Sequence, residues 1–183
     1  SAGGFSFWPG SGSANDWVSS YAGHFLLEAR NKGFKVPDTL LHSWVLYQKA
    51  RANSLASTDY RTLSNQVYRL YTLALAGQPE MGAMNRIVSS VGPSSMDTAS
   101  LWQLAAAYSL AGNKDQSDIL LRNPPTDASS YLDNRSNLGS QHRDRAMIAE
   151  AMMRLGRDPS AYTIIQDISN ALSSDIHLST QET

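Results

Sequence analysis

The stretch GGFSFWPGSGSANDWVSSYAGHFLLEA, from Gly3 to Ala29, decides the fold of this chain. It joins a loop rich in glycine and aromatic residues to a segment with helical periodicity. Asn15 or Asp16 can cap the free amides of that helix, and Gly33 can end it. The apolar side chains form one broad stripe at helical spacing: Trp17, Val18, Tyr21, Ala22, Phe25, Leu26 and Ala29. The sequence therefore predicts a first helix at about 16–32, on which later helices pack.

The same start and stop signals recur along the chain and predict further helices. Pro37 and Pro79 open the second and fourth helices, at positions where a first-turn proline is tolerated. No stretch alternates apolar and polar residues for long enough to predict a strand. The polar segment 123–139 is predicted as an ordered excursion, such as a short hairpin. The fold class is all-α, and the predicted helical hairpins cover about 16–53, 59–91, 97–122 and 141–174, with a further helix starting at 179.

The predicted hairpins repeat with a period of about 40 residues, which indicates a solenoid or a closed ring of hairpins. An open superhelix would normally show more similar repeats and a polar capping helix. The irregular repeats and the wide apolar arc of the first helix favour an α/α toroid, an inner ring of helices enclosed by an outer ring. Four hairpins and the start of a fifth make an incomplete ring. We treat residues 1–183 as a single domain fragment of this kind.

Composition excludes several classes of function. The 183 residues are 42% hydrophobic and carry a formal net charge of -1, with no run of basic residues, so nucleic-acid binding is not expected. No apolar run approaches the roughly 18–20 residues that span a bilayer, so direct membrane insertion of this segment is not expected either. The absence of cysteine excludes disulfides, thiolate metal sites and a cysteine nucleophile.

Both ends suggest that the sequence is part of a longer protein. The chain begins Ser1-Ala2-Gly3 without methionine and without the apolar run of a secretory signal. Ser179 to Glu182 form a capping box with almost no helix after it. We therefore expect a parent chain with further domains.

The histidines show no recognised pattern of metal ligands. His24 stands among apolar residues of the first helix, and we expect it to be a partly buried side chain with satisfied hydrogen bonds. The others are His42, in the first turns of the second helix, and His142 and His177, for which the sequence offers no partner. No metal and no cofactor are predicted.

Four carboxylates could be gathered by the fold to flank a glycosidic bond: Asp127, Asp133, Asp144 and Glu150. Such chemistry needs one carboxyl group with a raised pKa and one ionised carboxylate across the scissile bond. Nothing in the sequence selects a pair, so helix capping and surface charge are favoured. The tryptophans could line a sugar cleft, but in a helical repeat they are more often core residues: Trp8, Trp17, Trp44 and Trp102.

The opening stretch also resembles the thioester domain of the alpha-2-macroglobulin family, particularly its bacterial members. Lys35-Val36-Pro37 matches the bacterial motif that opens the next helix, while SQHRDRAMIAEAMMRLGR (140–157) and LSTQET (178–183) resemble later inner helices. The resemblance thus spans nearly the whole chain. Its motif positions, to which it assigns a structural role, are Gly4, Phe5, Trp8, Asp16, Trp17, Tyr21 and Pro37, with Gly3 and Ser20 beside them.

The resemblance implies an α/α toroid within a large, broad-range endopeptidase inhibitor, that is, a protease trap. In that family a protease cuts a bait region, and a Cys–Gln thioester then acylates the protease. The Cys-x-Glu-Gln motif lies upstream of the resembling region, and residues 52–58 lack the histidine that accelerates the thioester in some members. Expected partners are proteases and other domains of the parent chain. The expected location is the periplasm or cell envelope, where bacterial members are often lipid-anchored.

On this interpretation the segment is not an enzyme, and no catalytic residue is assigned. Two alternatives stay open: a carbohydrate-active enzyme (glycoside hydrolase or lyase) on the same scaffold, and a helical-repeat interaction module. An incomplete ring also predicts self-association, because inner-helix residues such as Tyr71, Tyr108 and Met152 would lack partners at its edges.

Overall fold

The computed structural model describes residues 3–8, 10, 12–54, 60–126 and 139–174, apart from the side chains of 60 and 61. Within these ranges the chain forms helices and no strand, so the all-α prediction is confirmed. One 3-10 turn, Pro93–Ser95, precedes the fifth helix. The α-helices are α1 (Asp16–Asn31), α2 (Asp38–Ser54), α3 (Tyr60–Leu75), α4 (Met81–Val91), α5 (Thr98–Leu110), α6 (Lys114–Leu120), α7 (Gln141–Arg154) and α8 (Asp158–Leu172).

The odd-numbered helices form an inner row, and each even-numbered helix covers the one before it. Helix α3 packs between α1 and α5, and α5 packs between α3 and α7. Each hairpin also pairs its own two helices: α1 with α2, α3 with α4, α5 with α6 and α7 with α8. This arrangement is that of an α/α toroid, as predicted.

Helix α5 lies at the centre of the core. Every residue from Thr98 to Tyr108 is buried, because the helix is surrounded by α3, α4, α6 and α7. A helix that is apolar nearly all round is expected at such a position. The largest fully buried side chains include Trp44 of α2, Trp102 of α5 and Tyr71 of α3.

Helices α1 and α7 run parallel and meet in a constant register. His24 contacts Glu150 and Glu28 contacts Arg154, both at a separation of 126 residues. The guanidinium of Arg143 lies over the ring of Trp17 with the same separation. Three hairpins therefore span 126 residues, about 42 each, close to the period of about 40 in the sequence. The inner row curves until its first and fourth helices touch.

The helix ends follow the chemistry of their capping residues. The side chain of Asn15 accepts a hydrogen bond from the Val18 amide, and Asn113 accepts one from Gln116 in the same way. At the C-terminal ends the odd-numbered helices stop shortly before a glycine with positive φ, for example Gly77 at 69°. These capping residues and glycines mark where the described helices begin and end.

Helix α4 begins at Met81 rather than at Pro79, so the predicted start was two residues early. Glu80 has a non-helical backbone, with φ of -105° and ψ of 74°. Its carboxylate accepts a hydrogen bond from the Asn53 amide and lies 3.5 Å from Lys49 Nζ. These contacts with α2 hold Glu80 outside the helix.

The inner-helix residues predicted to lack partners are in fact buried. Tyr71, Tyr108 and Met152 are each 0% exposed, so the predicted reason for self-association was wrong for them. The Tyr71 hydroxyl donates to Glu150, and the Tyr108 hydroxyl donates to Asn85.

Some predictions fall on residues that are not described. The proposed hairpin at 123–139 lies mostly outside the described residues, as does the helix predicted to start at 179. Among the described helices, none is long and apolar enough to cross a membrane.

Candidate functional site

The opening loop is fastened to the first turn of α1. The Ser19 hydroxyl accepts a hydrogen bond from the Phe5 amide at 2.9 Å and donates one to the Phe5 carbonyl at 3.1 Å. The Asn15 amide donates to the same carbonyl at 2.8 Å. Ser19 is fully buried, so these bonds are shielded from water. The loop is therefore a fixed part of the fold.

The loop glycines are required by close packing against α2. A Cβ atom on Gly3 would lie 2.1 Å from the Ser43 carbonyl oxygen, and one on Gly4 would lie 2.5 Å from the Ala14 Cβ. The Tyr47 ring would also be only 2.8 Å from a Cβ on Gly4. Atoms cannot approach this closely, so both positions exclude side chains.

Asp16 joins the first three helices through two arginines. Its carboxylate receives two hydrogen bonds from Arg51 of α2, at 3.1 and 2.9 Å. Arg69 of α3, which is 0% exposed, places its Nη2 atom 2.7 Å from Asp16 Oδ1. The Arg69 Nε–H donates to Gln48 at 2.8 Å. A fully buried guanidinium is tolerated because Asp16 neutralises its charge, while Gln48 and Gln66 accept hydrogen bonds from its Nε and Nη1 atoms.

The electrostatics of this cluster favour the ionised carboxylate. Burial by itself raises the pKa of Asp16, but the hydrogen bonds and charges of Arg51 and Arg69 outweigh it and place that pKa below its ordinary value. Burial lowers the pKa of Arg69, although arginine starts so high that it stays charged. Asp16 and Arg69 therefore form an ion pair that ties α1 to α3.

The remaining motif residues have different surroundings. Trp17 is 6% exposed and stacks on Tyr21 with ring centroids 4.9 Å apart, while Tyr21 itself is 52% exposed. Pro37 directly precedes α2, and its carbonyl accepts the Leu41 amide. Trp8 is 75% exposed, so its prediction as a core residue was wrong. The cause is local, since Trp8 lies in the surface part of the loop, whereas the other three tryptophans are buried.

An open cleft of about 510 Å³ lies between α1 and α7. Its walls are His24 and Glu28 from α1 and Glu150, Met153 and Arg154 from α7. His24, Glu28 and Glu150 each offer a ligand atom to this cleft, and these atoms lie within 4.8 Å of one another. The Nη2 atom of Arg154 lies 2.5 Å from Glu28 and 3.6 Å from Glu150.

Two buried tyrosines of α3 form hydrogen bonds to the side chains that line the cleft. The His24 Nδ1 atom is 3.0 Å from the Tyr68 hydroxyl, and its Nε2 atom is 3.1 Å from Glu150 Oε1. The Tyr71 hydroxyl donates to the same Glu150 oxygen at 2.9 Å. Burial alone raises the pKa of Glu150, but the hydrogen bonds and charges of His24, Tyr71 and Arg154 outweigh it and lower that pKa.

The order Glu150–His24–Tyr68 resembles a catalytic triad in connectivity only. Burial, together with the charge of Glu150, raises the pKa of Tyr68 well above its ordinary value. Tyr68 is only 4% exposed, so its hydroxyl cannot reach a substrate or form a nucleophilic phenolate. The arrangement orients His24 and holds Glu150 ionised without activating a nucleophile.

Of the carboxylates proposed for sugar chemistry, the two that the structure describes, Asp144 and Glu150, do not form a working pair. Burial raises the pKa of Asp144, although its carboxylate pairs with Arg143 at 2.6 Å. Glu150 stands six residues further along α7, so the two side chains point about 120° apart on that helix. Asp127 and Asp133 lie outside the described residues.

His24 and Glu150 are both candidate residues in the sequence, but no local pattern pairs them. The prediction that His24 is partly buried and satisfied is confirmed, since its side chain is 13% exposed and hydrogen-bonded. Glu28 was not predicted as a site residue, although it stands four residues after His24 on the same helical face, and that spacing is the signal that could have found the cluster. His42 is exposed on α2, His142 is half-buried in α7, and His177 lies outside the described residues.

No protein-family model matches the chain, and no curated protein sequence matches it either. Solved structures do match. A Salmonella alpha-2-macroglobulin reacted with methylamine is similar with a TM-score of 0.78 at 22% identity, over 99% of this chain and 12% of that one. An Escherichia coli alpha-2-macroglobulin spanning domain MG7 to the C-terminus has a TM-score of 0.77 at 22% identity, over 99% and 30%.

A third structure, an Escherichia coli alpha-2-macroglobulin activated by porcine elastase, gives a TM-score of 0.78 at 22% identity over 98% of this chain. The chain spans only 17% of that protein. At this level of identity the likeness establishes the fold. The chain therefore has the fold of a helical segment found within bacterial alpha-2-macroglobulins.

Proposed function

We propose that this chain is part of a bacterial alpha-2-macroglobulin-like protease trap, in which it forms the scaffold of the thioester-type domain. The observation that carries the proposal is the match of 99% of the chain to one continuous fold at a TM-score of 0.78. Relatives of that fold are activated by trypsin and by elastase. Expected partners of the parent protein are therefore proteases, together with the parent's own other domains.

The motif residues support this proposal through their structural roles. Gly4 and Phe5 fasten the opening loop, and Asp16 ties the first three helices together. Trp17 is packed between Tyr21 and Arg143, at the junction of α1 and α7. These contacts rigidify the end of the ring that begins with the opening loop. Such a scaffold can position a reactive group supplied by another part of the parent chain.

The proposal assigns no catalysis to this segment. In the α1–α7 cleft the tyrosine beside His24 is buried with a raised pKa, and the pKa of Glu150 is lowered. A glycoside hydrolase needs a carboxyl group with a raised pKa facing an ionised partner. The cleft therefore favours a non-enzymatic function over the carbohydrate-active alternative. We further propose the periplasm or cell envelope as the location, by analogy with the family.

The sequence upstream of this segment and the chemistry of the parent protein test the proposal. A Cys-x-Glu-Gln within about a hundred residues upstream would supply a thioester, and methylamine would then release one thiol per parent chain, measurable by thiol titration. The isolated chain should hydrolyse no polysaccharide. Sustained turnover of a polysaccharide, abolished by Glu150→Gln, would replace the proposal with the hydrolase alternative.

A further inference from the structure

We propose that His24, Glu28 and Glu150 form a binding site for a divalent transition metal, for which Zn²⁺ is the best-suited ion. One imidazole nitrogen and two carboxylate oxygens lie within 4.8 Å of one another, and all three side chains are partly accessible. A histidine with two carboxylates matches the ligand preferences of zinc. The site bridges α1 and α7, which are 126 residues apart in sequence.

The geometry needs a small adjustment to hold the ion. Zinc at about 2.0–2.2 Å from each ligand in a tetrahedron places the ligand atoms about 3.4 Å apart. His24 Nε2 and Glu150 Oε1 are already 3.1 Å apart. Glu28 must move inward, and its side chain is 36% exposed, so it has room to do so. The fourth position then faces the open cleft, where water can occupy it.

The groups behind the ligands are arranged as metal sites require. Zinc at Nε2 of His24 leaves the proton on Nδ1, which lies 3.0 Å from the Tyr68 hydroxyl oxygen and can donate to it. The Tyr71 hydroxyl donates to Glu150 Oε1 and fixes that carboxylate. Both tyrosines are buried in α3, so the ligands are oriented before a metal arrives.

Arg154 is the competitor for this site. Its guanidinium lies 2.5 Å from Glu28 and 3.6 Å from Glu150, where it supplies one positive charge to the two carboxylates. Its side chain is 33% exposed and can swing into solvent. A divalent ion supplies twice the charge and also binds the imidazole. Removing the arginine should therefore strengthen metal binding, which is the opposite of what a structural ion pair alone would show.

The test is calorimetric titration of the 183-residue chain with ZnCl₂ after treatment with EDTA, with circular dichroism to verify folding of each variant. We expect one zinc per chain, at least tenfold weaker binding for His24→Gln and for Glu28→Gln, and several-fold tighter binding for Arg154→Met. His42→Gln, at an exposed histidine on α2, is the matched control and should bind zinc as tightly as the unsubstituted chain.

A thermal readout supplements the titration. Zinc at 100-fold above the dissociation constant of the unsubstituted chain should raise its midpoint of unfolding by about 5 °C, and that of Glu28→Gln by no more than about half as much. Cobalt should give the visible absorption of a tetrahedral site only when His24 is present. The proposal would be overturned if neither the unsubstituted 183-residue chain nor Arg154→Met bound zinc saturably, or if His24→Gln bound zinc as tightly as the unsubstituted chain.

Discussion

His24 of α1 and Glu150 of α7 are hydrogen-bonded at 3.1 Å across 126 residues of sequence. The contact is one of three at the same separation, so it fixes the register of the first and fourth inner helices. Tyr68 and Tyr71 of α3, which packs against α1, bond to His24 and Glu150 respectively. One polar cluster therefore connects three helices of the inner row.

Glu150→Gln should destabilise the fold through this cluster. The amide keeps the shape and can still accept from Tyr71, but it loses the charge that faces His24 and Arg154. We expect a loss of about 1–2 kcal/mol in the free energy of unfolding, measured by urea titration in EDTA. Asp167→Asn removes a more exposed partner of Arg145 and should cost less than about 0.5 kcal/mol. Equal costs for the two variants would contradict this role of Glu150.

Asp16 should make stability depend on pH. The pKa of Asp16 is lowered in the folded state, so its contribution is present above the unfolded value near 3.8 and is lost as pH falls through the folded value. Asp16→Asn should cost about 3 kcal/mol at neutral pH, because buried Arg69 loses its anionic partner. Urea titrations at pH 6 and pH 3 measure both effects.

Asp38→Asn is the matched control for that experiment, since Asp38 is also the first residue of a helix. Its side chain is 87% exposed and lies 3.4 Å from an exposed Arg30. The control should therefore change stability by less than about 0.5 kcal/mol. If Asp16→Asn lost as much stability between pH 6 and pH 3 as the unsubstituted chain, Asp16 would not be a source of that loss.

Gly23→Ala tests the contact between α1 and α2. An added Cβ would lie 2.0 Å from Cε2 of Trp44, which is 0% exposed and donates its indole N–H to the Ser19 carbonyl. We expect a loss of about 3 kcal/mol or more, because neither helix can shift without breaking that bond. Gly82→Ala in α4, where only Arg86 is near, should instead stabilise by about 0.5 kcal/mol. Chemical denaturation measures both, and a neutral Gly23→Ala would contradict the packing described.

Self-association of the isolated chain stays a prediction, and it now rests on exposed apolar side chains at the end of α1. Phe25 and Phe34 are 67% and 70% exposed beside an apolar cleft at the end of α1. We expect oligomers at high concentration by light scattering, reduced by Phe25→Lys and unchanged by Tyr162→Lys on α8, where Tyr162 is 61% exposed. A chain that stays monomeric at all concentrations would contradict this prediction.

The fold could be predicted largely from local signals. Asn15, Asp97 and Asn113 cap helices as their residue types indicate, and the glycines end the helices they follow. The period of about 40 residues indicated a solenoid or a ring of hairpins, and the irregular repeats and the wide apolar arc of the first helix favoured the toroid. The start of α4 was missed because Glu80 is held by Lys49 and Asn53, which no local pattern reveals.

The candidate site was harder to predict because its parts come from distant helices. Glu28 could have been found, since it follows His24 by one helical turn. Glu150 could not be chosen among the other carboxylates without the register of α7 against α1. The exposure of Trp8 and the burial of Arg69 are the reverse of what their residue types indicate. Both depend on tertiary contacts that the local sequence does not show.

A two-substrate assay of the full-length parent protein tests the central claim most directly. The parent is incubated with trypsin, and residual trypsin activity is measured on a large protein substrate and on a small chromogenic peptide. A protease trap predicts strong loss of activity on the protein substrate with activity on the peptide largely retained. Undiminished trypsin activity on the protein substrate, when the full-length parent protein is present in molar excess over trypsin, would contradict the account.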